Sequence, residues 1–377
     1  MSQLDDFIRQ VRSLHTMIGP CVDILEPETR KVISTPEIYG IRQIILTGSG
    51  DSYFAGAAAA PMFRDLTGLP VQAMTSMEAS RYAGGFGKSV INARGTLVIS
   101  ISYSGEAARL VEAAQRWRDR GALTLGLTSA REGRLAKAAE RVVNTRIEEV
   151  APAPGTRTYV VALIALNLLA IRFAEVLMRI TMDAPNGLRR ELSEIGTQLG
   201  DLESAFSAPI RAFAELSRDW RCFDLLGSGP SLGSAGYSAA KLVEAAGIHA
   251  VAQDSEEFFH LNFFVDCPTT IPAVLYAPSD GAAASRSREL VETLGQLGRP
   301  TMVVTDQAGF GGGLTELLVP RVREWFAPIV QTVPAALLAA HVADHRGTRH
   351  YRGHDGPWSG ARGANLVRNS RIDVNRG

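Results

Sequence analysis

The chain has little cysteine. Its three, Cys21, Cys222 and Cys267, lie far apart in 377 residues and form no C-x-x-C pair. Neither a disulfide framework nor a thiolate metal or redox motif is encoded, and the three read as reduced thiols of a cytoplasmic protein. Charge of one sign is also missing. Lys+Arg and Asp+Glu are both 39, a formal net charge of zero. That argues against nucleic-acid or membrane-surface binding driven by bulk charge and is neutral toward a small anionic ligand. The amino terminus, MSQLDDFIRQ, lacks the basic-then-apolar pattern of a secretory signal. Apolar residues are plentiful: 46% hydrophobic against 21% charged, enough to build the cores of two ordinary domains.

One apolar run, residues 159–180 (YVVALIALNLLAIRFAEVLMRI), has membrane-spanning length. It carries Asn167, Arg172, Glu175 and Arg179, the last three near one face, and reads as the long central helix of a soluble core. Residues 1–36 are expected to be helical. Phe7, Val11, Leu14 and Ile18 fall at three- and four-residue spacing, a break is expected near Gly19-Pro20, and a second segment runs over 21–33. Residues 346–377 are rich in Gly, Arg and His with few apolar side chains. Composition makes them a disordered tail, or else a cover for a site.

The stretch around which the chain is organised is 98–109 (VISISYSGEAAR). Residues 97–101 form an apolar, β-branched run of the kind found in a buried parallel strand. The run leads into Ser102, Tyr103, Ser104, Gly105 and Glu106, after which Ala107, Leu110, Val111 and Ala114 recur at helical spacing. Backbone N–H groups and the positive end of a helix dipole meet at such a turn, which is a place for an anion. Two serine hydroxyls beside a glycine suit a phosphate monoester. A serine-capped helix in any α/β protein reads the same way, and the turn alone does not separate the two.

Strand-like runs at 42–47, 70–74, 95–101, 123–128 and 141–147 alternate with helical stretches at 54–63, 106–120 and 133–139. Such alternation means a parallel sheet with helices on both faces and ligands at the carboxyl ends of the strands. After the first run comes Gly48-Ser49-Gly50-Asp51-Ser52-Tyr53. This G-x-G lacks the third glycine of the dinucleotide fingerprint, and no acidic residue ends the second run, which leaves a nucleotide as the weaker alternative to a phosphate or sugar. The loop 148–158 (EEVAPAPGTRT) brings Arg157 and two threonines to a helix start, as anion ligands or as caps.

The second half echoes the first. Residues 222–226 (CFDLL) lead into Gly227-Ser228-Gly229-Pro230-Ser231 and a small-residue helix over 233–246. Residues 272–276 (PAVLY) lead into Pro278-Ser279-Asp280-Gly281, 301–305 (TMVVT) matches 123–128 (LTLGLT), and 326–344 matches the long apolar helix. An internal duplication follows. It gives a helical segment 1–36, domains at 37–185 and 200–345 joined by a bridging helix, and a tail 346–377. The first copy has the better anion turn; the second has more titratable residues.

Lys241 and Glu244 lie three apart on a helix otherwise made of Ala239, Ala240, Leu242, Val243, Ala245 and Ala246. They are either a surface ion pair or a buried carboxylate, raised in pKa toward neutral, with its lysine. Glu256 and Glu257 precede Phe258-Phe259-His260, either to orient the histidine or as a solvated turn beside a core aromatic pair. His341 and His345 have i, i+4 metal spacing, but without H-E-x-x-H and with Asp344 as the one carboxylate nearby no metal is expected.

Together, G-S-G-D-S-Y, S-Y-S-G-E, K-L-V-E-A-A-G-I-H-A and E-E-F-F-H resemble the sugar isomerase (SIS) domain family in its tandem form, over nearly the whole chain after residue 40. That family includes the isomerase half of glutamine–fructose-6-phosphate aminotransferase, the sugar-phosphate deaminases and the fructosamine deglycases. The resemblance implies an α/β fold of two flavodoxin-like, doubly wound parallel-sheet domains in three α/β/α layers, and a homodimer. It implies that Ser52, Ser102, Tyr103 and Ser104, with Gly48 and Gly50, hold a phosphate, and that Arg157 and Arg368 touch the substrate. It makes Glu244 the base that moves a proton between C1 and C2, with Lys241 one turn earlier, and His260 the ring-opening histidine, reaching in from a neighbouring subunit. Residues 365–368 (NLVR) resemble the tail segment N-L-A-K that closes over the sugar.

The chain departs from the family pattern at four places. The threonine after S-x-S-G-E is Ala107, and the histidine is followed by Leu261-Asn262 instead of Gly-Pro. The A-S-T-K loop reads Pro154-Gly155-Thr156-Arg157, and the tail lysine that forms an imine is Arg368. An arginine stays protonated and forms no imine at neutral pH. With no glutaminase domain and no N-terminal nucleophilic cysteine, glutamine-dependent amination is expected to be absent.

The expected function is C1/C2 proton transfer on a 6-phosphorylated sugar or amino-sugar derivative: aldose–ketose isomerisation, deamination or deglycation. No metal or redox cofactor is called for, because the substrate's carbonyl or imine is the electron sink. Loss of the imine lysine favours substrates that already carry an amine. The expected partners are a small sugar phosphate and a second copy of the chain, with no nucleic acid and no membrane. The alternative is a non-catalytic sugar-phosphate sensor. Ala107, Leu261 and Arg368 suit it; Glu244 and His260 argue against it.

Overall fold

The computed structural model describes residues 2–83, 92–354, 356–361 and 363–374. The chain forms two compact units, one made of Ile18–Glu148, Thr158–Ser193 and Arg352–Gly377, the other of Met1–Met17, Glu149–Arg157 and Glu194–Tyr351. Helix α1 (Gln3–Lys31) contributes to both.

The first unit carries α2 (Thr35–Gly40), β1 (Gln43–Gly48), α3 (Asp51–Thr67), β2 (Val71–Thr75), β3 (Thr96–Ile101), α4 (Ala108–Asp119), β4 (Leu123–Thr128), α5 (Arg134–Ala138), β5 (Arg141–Asn144), most of α6 (Arg157–Val176) and the start of α7 (Ala184–Gln198). Its five strands pair in parallel in the order β2-β1-β3-β4-β5. β3 is buried at every position, which is why it reads as an unbroken apolar run. The chain leaves β1 for one edge and returns to β3 for the other, and the crevice for a ligand opens at that switch point, past the ends of β1 and β3.

The second unit carries α8 (Leu202–Glu215), β6 (Cys222–Gly227), α9 (Pro230–Lys241), β7 (His249–Gln253), α10 (Ser255–His260), β8 (Ala273–Tyr276), α11 (Ala284–Gln296), β9 (Thr301–Thr305), β10 (Thr315–Leu318) and α12 (Ala327–His345). Its sheet runs β10-β9-β8-β6-β7, all parallel, the same order read from the other side. The duplication extends to single dihedrals. Gly50, before α3, has φ 55° and ψ −129°, and Gly229, before α9, has φ 56° and ψ −131°. Both copies thus need a residue without Cβ at the same strand-to-helix turn. The fold is the expected one: two doubly wound parallel sheets, each flanked by helices.

The structure corrects several local expectations. The break at Gly19-Pro20 is absent. α1 continues through Pro20 and Pro27 because Leu14, Ile18, Val22 and Leu25 keep one stripe buried on both sides of the prolines. Strands β7 and β10 were not legible as strands; both are short edge strands with mixed exposure. The small-residue helix after Gly229 divides into α9 and a π-helical turn, Leu242–Ala246, that carries Glu244. The tail contains helix α13 (Gly363–Asn369) and docks at residues 370–373; residues 355, 362 and 375–377 lie outside the described residues.

α6 and α12 are both long and apolar enough to cross a membrane by composition, and both are buried inside the protein. α12 packs on α8 and α9. There His341 is buried, and burial holds its pKa below the ordinary 6.5, opposed by Asp344 and Glu203 and reinforced by Arg211. The neutral imidazole is therefore favoured by the folded unit. Its contribution to stability is complete above the unfolded value of about 6.5 and is lost as pH falls toward the folded value. Between pH 7 and 5 the melting temperature of the wild type is expected to drop about 2–4 °C more than that of His341→Leu, by thermal denaturation at each pH. Equal drops would remove His341 from the acid sensitivity.

Candidate active site

In the first unit the 102–106 turn is pinned to the end of β4. The Tyr103 carbonyl accepts from Ser129 N (2.9 Å), Ser129 Oγ (2.8 Å) and Thr128 Oγ1 (3.2 Å), and Ser102 N donates to the Leu127 carbonyl at 3.0 Å. Gly105 has φ 70°, and a Cβ there would lie 2.7 Å from Thr128 Oγ1, so glycine is required both by the backbone and by the approach of β4. Ser102 Oγ accepts from Gly105 N at 3.2 Å and Ser104 Oγ from Glu106 N at 3.4 Å. Each hydroxyl keeps its own O–H as a donor. α4 begins immediately after, with Ala107 at its N-cap and no side chain capping it, so the turn is not the serine-capped helix that it resembled.

Beside the turn lies a cleft lined by Ser52, Tyr103, Asp51, Thr145, Thr158 and Tyr159 among others. The structure places Ser52 of α3 with Tyr103 in this cleft, beside Asp51, Thr145 and Tyr159, whereas Ser102 and Ser104 do not line it. Thr158 is one of the two loop threonines. The other, Thr156, donates to the Pro154 carbonyl, and the buried Arg157 donates to Ser13 Oγ at 2.5 Å in the second unit. Gly48 and Gly50 form the β1–α3 turn without lining the cleft; Gly48 has Ser52 and Tyr53 backbone atoms packed where a Cβ would be. At the end of β2, where a dinucleotide fold keeps an acid, Ser76 Oγ meets Ser49 Oγ at 2.7 Å.

The matching turn of the second unit is filled by the chain's own carboxylates. After β8, Ser279 N donates to Asp306 Oδ1 at 2.7 Å and Ala282 N to Glu324 Oε2 at 3.3 Å. Arg321 lies 2.7 Å from Asp280 Oδ2. In the first unit, by contrast, Glu106 turns away from its own turn and accepts the Arg134 N–H at 3.2 Å. One turn carries internal anions on its donors; the other carries serines.

In the second unit Lys241 and Glu244 do form an ion pair, Nζ to Oε2 2.5 Å, but the expected burial is inverted. The lysine side chain is 0% exposed and the glutamate side chain 47%. The small residues around the pair bury the stem of Lys241, with its Nζ 5.4 Å from the Tyr237 ring centroid, while the π-turn leaves the carboxylate outward. A fixed buried cation therefore holds one oxygen of a solvent-reaching carboxylate. His260, the last residue of α10, is mostly exposed and sits with Glu256 (Nε2 to Oε1 3.3 Å), which Arg286 also engages at 2.6 Å. The arginine in turn lies 3.8 Å over the Phe259 ring. Of the two glutamates, Glu256 is the one in contact with the histidine; Phe258 is the core aromatic. Arg368 is exposed on α13, and its carbonyl accepts from Arg134 Nη1 at 2.7 Å.

Residues 37–172 match the family model described as "SIS domain". The matched residues carry the whole of the first sheet. Glutamine–fructose-6-phosphate aminotransferase [isomerizing] of Pseudomonas putida is 28% identical over 312 residues, covering 82% of this chain and 50% of that protein. The enzyme of the same name from Thermococcus kodakarensis is 30% identical over 316 residues, with the same coverages. The chain thus spans about half the length of the curated relatives it matches. The solved C-terminal domain of glucosamine-fructose-6-phosphate aminotransferase from Francisella tularensis superposes with a TM-score of 0.80 at 20% identity, over 93% of this chain and 99% of that one. The fold around the SIS turn is accordingly that of this solved structure.

Proposed function

We propose that the protein is a phosphosugar enzyme that transfers a proton between C1 and C2 of a 6-phosphorylated sugar or amino-sugar derivative, with Ser102, Ser104 and Ser52 on the phosphate side and Glu244 as the base. The observation that carries the reading is the contrast between the two turns. The turn at 102–106 presents two serine hydroxyls, on the Gly105 and Glu106 amides; its counterpart keeps one serine, Ser279, and has the carboxylates of Asp306 and Glu324 on its own amides. Asp51 in the adjoining cleft supplies an acceptor for sugar hydroxyls. The Lys241–Glu244 pair supplies a carboxylate held by a fixed cation, as a shuttle between adjacent carbons requires.

Proton NMR in D2O on fructose 6-phosphate, glucosamine 6-phosphate and a fructosamine 6-phosphate adduct tests the reading. Enzyme-dependent loss of a C1 or C2 proton signal is expected for one of them, and that substrate names the reaction. Ser102→Ala/Ser104→Ala is expected to weaken binding of the same sugar phosphate at least about a hundredfold, because two hydrogen bonds to a charged acceptor are lost. Calorimetry that shows an unchanged affinity would move the phosphate elsewhere. A second reading, a non-catalytic sugar-phosphate sensor, is favoured by the exposed His260–Glu256 contact and by Arg368 in place of a lysine. Binding without proton exchange would decide for it.

A further inference from the structure

The C-terminal segment of the first unit is held at two places. At its end, Ile372 packs against Val111, Ala114, Leu135 and Ala138, Arg116 Nε donates to the Asp373 carbonyl at 2.7 Å, and Arg109 donates to the Arg371 carbonyl. Nearer the start, Arg134 Nη1 donates to the Arg368 carbonyl at 2.7 Å. Ahead of the Arg368 anchor, α13 buries little of its own apolar surface: Leu366 is 53% exposed and Val367 58%. Its position is therefore set by the anchors.

Arg134 also belongs to the turn. Its backbone N–H is held by Glu106 Oε1 at 3.2 Å, and the next N–H, of Leu135, by the Gly105 carbonyl at 2.9 Å. The short helix α5 thus stands between turn and tail. Its first amides grip residues 105 and 106; its side chains grip residues 368 and 372.

We infer that Arg134 is a positioning residue that couples occupancy of the 102–106 turn to the placement of α13 and Arg368. The inference rests on the turn being the phosphate site. A ligand that orders the turn orders the Gly105 carbonyl and the Glu106 carboxylate, then the start of α5, then the guanidinium on the Arg368 carbonyl. By linkage, a docked tail raises affinity for the ligand by the factor through which the ligand favours docking.

The test uses the full chain, with calorimetry and hydrogen exchange of peptides from 363–373, with and without fructose 6-phosphate, glucosamine 6-phosphate or inorganic phosphate. In the wild type, a bound ligand is expected to slow exchange in that segment. Arg134→Ala is expected to raise Kd about tenfold, the loss of one bond from a charged donor, and to abolish the ligand dependence of tail exchange. Arg134→Lys, which keeps a donor, is expected to restore part of both. A purely structural role would lower stability while leaving the ligand dependence in place. Wild-type tail exchange that ignores a ligand shown to bind, or an Arg134→Ala protein with wild-type Kd and wild-type protection, overturns the inference alone. Wild type binding none of the three overturns the phosphate assignment and this inference with it.

Discussion

Glu244→Gln is expected to reduce turnover of the sugar phosphate about a thousandfold and to leave its binding nearly unchanged, since a positioned acid–base group contributes roughly 10²–10⁴ in rate. The glutamine oxygen still accepts from Lys241 Nζ, so the π-turn and the buried lysine keep their arrangement. Exchange of the C1 or C2 proton into D2O gives the rate, and calorimetry gives the affinity. Retained turnover would remove Glu244 from the chemistry. Lys241→Met gives the complementary case. The carboxylate remains solvent-reaching but loses the cation that fixes it, so kcat falls with little change in binding. A fall in binding with kcat intact would instead make Lys241 a substrate ligand.

Glu112→Ala is expected to destabilise the first unit by about 3–5 kcal/mol, the cost of removing one partner from a buried ionic cluster. Glu112 is fully buried on α4 and is engaged by Arg81 (2.9 Å), Arg116 (3.5 Å) and Arg109, and it accepts the Asp373 N–H at 3.2 Å. Burial already lowers the pKa of Arg109, and Glu112 opposes that shift. Without the carboxylate, the three guanidiniums crowd one another, and neutral acceptors such as the Arg371 and Asp373 carbonyls do not offset their charge. Urea unfolding measures the loss, and exchange at residues 370–373 should rise with it. A change under about 1 kcal/mol, the level of a surface pair, would show that water reaches the cluster.

Much of the fold could be read from residues. β3, β4 and β9 are buried on both faces, and buried parallel strands read as continuous apolar runs. β7 and β10 could not be read, because an edge strand of four or five half-exposed residues has neither an apolar run nor clean alternation. The serine-rich turn at 102–106 was legible from serine, glycine and its place after a strand. Its difference from the second copy was not, since the carboxylates that accept from the second turn come from Asp306 and Glu324, distant in sequence.

The site pair shows the same division. Spacing of three placed Lys241 and Glu244 on one face, but spacing does not say which member points inward. A π-turn beginning at Leu242 rotates the glutamate out and leaves the lysine sealed. Composition did not show the docking of the tail, because it runs largely through backbone groups, which every residue has, with Ser370 Oγ and the side chain of Ile372 beside them. The sequence by itself determined the duplicated doubly wound architecture and the chemistry of the turn, because both depend on local runs and on residue types at a strand's end. Only the tertiary structure decided which turn has the chain's own carboxylates on its amides, which charge is buried and where the tail lies, because each depends on how the chain folds around it.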